Sequence, residues 1–195
     1  MAIDAAAREV LDFWFGEPGS ATQGVARAEW FRKSAAFDAE IAQRFGRLVE
    51  QALRGDLLGW AAKPESALAR IVVLDQFTRN TFRDSPRAFA GDALALDAAR
   101  AMVAAGHDAA LLPVQRSFVY LPFEHAEDLA LQEESVRLFT QLHAVAPAMD
   151  SVLEYAHRHR AVIARFGRFP HRNAALARVS TAEELAFLEQ PGSGF

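Results

Sequence analysis

Between Leu68 and Arg83 the chain reads LARIVVLDQFTRNTFR. At the rotation of roughly 100° per residue of an α-helix, Leu68, Ile71, Val72, Val73, Leu74 and Phe77 cover most of the circumference, so such a helix belongs in a core. Gln76 and Asn80 occupy the narrow polar gap. Asp75 and Arg79 instead fall within the apolar arc of Leu68, Ile71 and Val72. The pattern thus predicts a carboxylate and a guanidinium buried one turn apart, which is costly unless both are paired and hydrogen-bonded.

The same reading divides the rest of the chain into helices with short joins. Asp4 is expected to cap a first helix through Val10, Leu11 and Trp14 that stops at Gly16, followed by the loop EPGSATQG. After the aromatic pair Trp30 and Phe31, the residues Phe37, Ile41, Phe45, Leu48, Val49 and Ala52 recur at helical spacing up to Gly55. Leu57, Leu58 and Trp60 form a brief apolar turn, and Pro64 suits the first turn of the central helix. An Ala-rich helix is predicted from Pro86 to Ala105, closed by Gly106. Pro122 is expected to separate a helix over Val114 to Tyr120 from one over Phe123 to Val145, or to kink them sharply. Asp150 is expected to cap a helix that ends at Gly167, Ser180 with Glu183 to form a capping box, and the PGSGF tail to lie on the surface. The fold class is therefore all-α, with about eight helices in an α-solenoid or irregular antiparallel bundle and one domain over residues 1–195.

Composition supports helices, since half of the residues are apolar and alanine is abundant. A net charge of −4 with interspersed signs gives no basic face for nucleic acid. The chain has no cysteine, which excludes disulfides and thiol chemistry. It shows neither a basic leader nor an apolar run of about 20 residues, so no membrane span and a cytoplasmic location are expected.

Polar groups gather in two further stretches. In RSFVYLPFEHAED, around Pro122, stand Arg116, Tyr120, His125 and Glu127, with Glu124, Glu127 and Asp128 read as an exposed acidic turn at a helix start. In FGRFPHRN, residues Arg168, His171 and Arg172 are held between Gly167, Phe169 and Pro170, either as a functional loop or as a structural corner. The preceding helix places His159 among Val152, Val162 and Phe166, hence buried, and His157 at its polar edge.

The segments LDQFTRNTFR, RSFVYLPFEHAEDLALQEES and HRAVIARFGRFPHRN, followed by STAEE, together resemble the bacterial family known as domain of unknown function 924. The likeness extends from LDFWFG at Leu11 to the final PGSGF. It implies an all-helical fold similar to tetratricopeptide-repeat (TPR) proteins, with motif residues Asp75, Gln76, Arg79, Asn80, Arg83, Tyr120, His125, Glu127, His159, Arg168, His171, Arg172 and Asn173. No established reaction comes with it. Ala177 departs from the family, which often has glycine there, so a tighter or more helical turn is expected after Asn173.

No Gly-rich phosphate loop, GxSxG or HExxH is present. His125, His159, His171 and Glu127 are suitable metal-ligand types but lack an i,i+4 pair, so neither a metal nor a cofactor is expected. His125 and His159 are the candidate acid–base groups. Arg79, Arg83, Arg116, Arg168 and Arg172 outnumber the neighbouring carboxylates Asp75 and Glu127. That imbalance points to a pocket, lined by these residues with Asn80, Tyr120, His125, His159 and His171, for a small carboxylate or phosphate. Two other readings compete: a helical scaffold that binds a peptide, and a closed ion network that only fixes helix register.

Overall fold

The computed structural model describes residues 3–194, and among these there are helices and turns but no strand. Eight α-helices follow in order: α1 (Ala5–Phe15), α2 (Ala35–Leu53), α3 (64–81), α4 (Asp92–Ala104), α5 (Pro113–Glu124), α6 (Leu129–Val145), α7 (Asp150–Phe166) and α8 (Ala182–Leu188). They form two compact units. The first comprises the chain up to Arg83 with Arg87–Pro122, and the second Asp84–Pro86 with the chain from Phe123 onward.

In the first unit α3 packs against α1, α2 and α4. Asp4 caps α1 as expected, accepting hydrogen bonds from the amides of Ala6 and Ala7. The apolar stripes of α1 and α2 meet in an aromatic core, in which Trp14 lies edge-on to Phe77 at 5.4 Å and to Phe118 at 5.8 Å. Trp30 joins this core and donates its indole N–H to the Trp14 carbonyl. Pro64 starts α3, whose residues from Ser66 to Phe77 are all buried, as the all-round apolar pattern requires.

The central helix is not a uniform α-helix. Pro64–Val72 is α-helical, Val73–Phe77 forms a π turn and Thr78–Thr81 returns to α geometry. A π turn widens the backbone and disturbs its carbonyl pairing, and side chains one turn on compensate: Thr78 Oγ1 donates to the Leu74 carbonyl at 2.7 Å and Arg79 Nη1 to that of Asp75 at 2.8 Å. Gly91, which precedes α4, packs against this turn so closely that a Cβ there would lie 2.0 Å from the Leu74 oxygen. Only glycine permits that approach.

In the second unit α6 and α7 pack along each other through the short turn Pro147–Met149. Val162, Ile163 and Phe169 form its core, with Phe166 and Phe187 against them. Gly167 closes α7 in the left-handed conformation, as Gly106 does after α4.

Several local expectations need correction. Gln76 and Asn80 are buried, because Asp75 and Asp38 supply their amides with acceptors. Residues Pro86–Phe89 are a 3-10 turn, and α4 begins only at Asp92, beyond the close contact at Gly91. Pro122 lies inside α5, which continues to Glu124. The break comes instead at residues 125–128, where the Gln132 side-chain amide takes over the carbonyls of Glu124 and Ala126 and Asp128 caps α6. Asp150 is the first residue of α7 rather than its cap, with Oδ1 3.1 Å from His143 Nδ1. The capping box sits one residue later than expected, on Thr181 and Glu184. In the tail Ser193 is buried, and Phe195 lies outside the described residues.

Candidate functional site

In the first unit the expected pair is present: Arg79 Nη1 lies 3.3 Å from Asp75 Oδ1, and Asp75 is 1% exposed. A second carboxylate completes it, for Asp92 at the start of α4 receives the guanidinium on both oxygens, at 2.8 and 3.2 Å. Burial would release the Arg79 proton more easily, but Asp75 and Asp92 outweigh it and hold the group above its ordinary pKa. One turn on, Arg83 is bidentate on Asp38 of α2 at 2.6 and 2.7 Å, and Asn80 binds the same carboxylate at 2.8 Å. Burial raises the Asp38 pKa, yet these bonds bring it below the usual carboxylate range. On α5, Tyr120 donates to Asp108 Oδ2 at 2.5 Å and accepts from Arg116 at 2.9 Å. Burial and the Asp108 bond push the Tyr120 phenol up to about 12.

The second unit holds the other half of the candidate residues. Arg168 is bidentate on Glu184 at 2.6 and 2.8 Å and also reaches the Val179 carbonyl. These bonds, with that from the Thr181 amide, lower the Glu184 carboxyl to about 2. Glu127 is tied to Arg178 and to the Phe169 amide. Although burial opposes ionisation, Arg178 and the amide hold its pKa below the usual range. The acidic turn expected at Glu124, Glu127 and Asp128 is therefore exposed only at Asp128, which caps the start of α6. Glu124 is 3% exposed and Glu127 is clamped.

The remaining residues surround Phe169. His159 meets its ring edge-on at 5.4 Å, His171 lies at 5.6 Å, and the Arg172 guanidinium lies 4.6 Å from its centre. His125 stands 6.3 Å from His159. His159, 5% exposed, has Nδ1 2.9 Å from the Tyr155 carbonyl and 3.2 Å from Glu124 Oε1. A carbonyl can only accept, so Nδ1 carries the hydrogen of the neutral ring and Nε2 is its basic nitrogen. Burial, followed by repulsion from His125, lowers the His159 pKa to about 3 against the pull of the Tyr155 carbonyl, and His171 and Arg172 add to the decrease. The result is a buried, neutral imidazole with the Glu124 carboxylate at Nδ1 and His125, His171 and the Arg172 guanidinium nearby.

Asp38, Asp92, Asp108, Glu184 and Arg178 are partners that sequence reasoning missed. Asp38, Asp92 and Glu184 each lie in the first turn of a helix, where a carboxylate also complements the backbone dipole. That position was the available signal. Two surface clefts beside α1, of about 430 and 300 Å³, contain none of the candidate residues. Among the described residues no three His, Asp or Glu side chains are arranged to hold a metal ion, and no helix is long and apolar enough to cross a membrane.

Residues 10–192 match the model of a family described as bacterial protein of unknown function, DUF924. The chain is also similar to a solved protein of unknown function from Agrobacterium tumefaciens, at 40% identity and a TM-score of 0.84 over 95% of this chain and 97% of that one. No functionally curated protein matches it. With nearly its whole length covered by that model, the chain belongs to the DUF924 family of bacterial proteins.

Proposed function

We propose that the protein binds a small carboxylate or phosphate at the group His125, His159, His171 and Arg172 of its second unit. One observation carries the reading: two imidazoles and a guanidinium surround the single ring of Phe169, with a third imidazole beside His159. Burial and the neighbouring His125, His171 and Arg172 keep His159 neutral in the empty protein. An anion among these groups adds negative charge and charge-assisted hydrogen bonds, and protonation of His159 becomes more favourable. His159, or His125 beside it, then serves as the proton donor to the bound oxyanion.

A thermal-shift screen with inorganic phosphate, sugar phosphates and di- and tricarboxylates tests this. A ligand present at 100 times its dissociation constant adds about 2.7 kcal/mol of stability. Arg172→Ala should abolish the response. Absence of any anion response, or a response that survives Arg172→Ala, would overturn the reading.

A scaffold role is the second reading, favoured by Arg79, Arg83, Arg116 and Arg168, each of which already has a carboxylate partner. On that reading these pairs keep helices in register, and an extended peptide is the partner.

A further inference from the structure

Arg70 is the one buried arginine of α3's unit among the described residues. It is 6% exposed, yet among the described residues it makes no hydrogen bond or ion pair, and its Nε is sealed from solvent without an acceptor. Asp97 on α4 is the one carboxylate that acts on it through space, beyond ion-pair distance, and burial still holds its pKa below the ordinary value. An unpaired guanidinium in such a place is unfavourable without a partner. One turn before it stands Ser66, 5% exposed, whose hydroxyl also makes no hydrogen bond among the described residues. The two share a face of α3, because residues four apart lie one above the other, and long helical side chains lean toward the N-terminus. That lean directs Arg70 toward Ser66 and the start of the helix. There no side chain caps the first turn, and the first backbone bond is made only by the Ala67 amide.

We infer that Arg70, the Ser66 hydroxyl and the uncapped amides at the start of α3 form a binding site for a small oxyanion, phosphate or carboxylate. Each part donates hydrogen bonds and none accepts them except the hydroxyl, which matches an oxyanion and no cation. The helix dipole adds positive potential at the same end. Glu65, one residue on, lines the cleft beside Leu11 and Leu111.

Inorganic phosphate is the probe. In ¹H–¹⁵N spectra recorded at constant ionic strength, the sealed Arg70 Nε–H and the Ser66 amide should shift saturably with phosphate and not with chloride. Arg70→Met should weaken the phosphate response of Ser66 by about tenfold or more, whereas Arg172→Ala should leave it unchanged. Without phosphate, Arg70→Met should melt at the same temperature as the parent protein or higher, since it removes an unpaired buried charge. The site is refuted if these resonances do not move, or if the Ser66 response survives Arg70→Met. It is equally refuted if Arg70→Met and Asp97→Asn both lower the melting temperature, because Arg70 would then be paired with Asp97.

Discussion

Arg178 reaches Glu127, 51 residues away in the chain, through two hydrogen bonds of 2.6 and 2.9 Å, and together they grip the backbone of Phe169. Glu127 accepts from the Phe169 amide at 2.8 Å, while Arg178 donates to its carbonyl at 3.1 Å. The ring that carries His159, His171 and Arg172 is thus fixed by a charge pair outside the group. Arg178→Ala and Glu127→Ala should each cost about 2 to 3 kcal/mol in urea unfolding. Their double mutant should lose clearly less than the sum, since either substitution already breaks the pair. Strict additivity would mean that the two side chains act independently.

Asp75 and Asp92 share Arg79, so they should not behave as independent sites. Asp75→Ala leaves the guanidinium its bidentate partner Asp92, and a loss of about 2 to 3 kcal/mol is expected. Adding Asp92→Ala strands a buried cation. The double mutant should therefore lose more than the two single losses together, by about 1 kcal/mol. A cycle of four proteins in urea measures this coupling, and a coupling of zero would show that Arg79 is solvated.

Periodicity made the helices legible, because an apolar arc and its stop signals at Gly55, Gly106 and Gly167 are local properties of the chain. Asp75 and His159 were legible as buried for the same reason, whereas Arg79 is only partly buried. The π turn was not, since it arises from how Gly91 and α4 pack against Leu74, and nothing in LARIVVLDQF departs from an ordinary helix. Counting charges also misjudged the arginines. Asp38, Asp92, Asp108 and Glu184 lie outside the stretches that drew attention, and folding brings them to Arg83, Arg79, Arg116 and Arg168. An excess that is real along the sequence is thereby neutralised in space at these four arginines.

Ala177 carries a local conformational cost. The segment after Asn173 is a hydrogen-bonded turn rather than a helix, with Leu176 bonded to the Arg172 carbonyl and Arg178 to that of Asn173, and Ala177 closes it at φ +52°. That left-handed conformation is unfavourable for any residue with a Cβ. Ala177→Gly should therefore stabilise the protein, by about 0.5 to 1 kcal/mol once the extra freedom of the unfolded chain is subtracted. Thermal unfolding would detect the increase, and a decrease would show that the Ala177 methyl makes a packing contact that outweighs the strain.

His159 gives the stability of the protein a pH dependence of known sign. Its pKa is pushed down to about 3 in the folded chain, against about 6.5 when unfolded. Between these values the unfolded chain takes up a proton that the folded one refuses. The contribution of His159 is thus fully present above pH 6.5 and declines on acidification, by up to about 1.4 kcal/mol per pH unit. The range from pH 6.5 to 5 isolates the effect, since carboxylates titrate mainly below it. His159→Gln should flatten the decline there. Phosphate bound beside His159 should flatten it as well, because an anion lets the folded imidazole accept its proton, and affinity for phosphate should rise as the pH falls. A slope that phosphate leaves unchanged, in a protein where His159→Gln does flatten it, would mean that the buried imidazole is a structural group and that no anion reaches it.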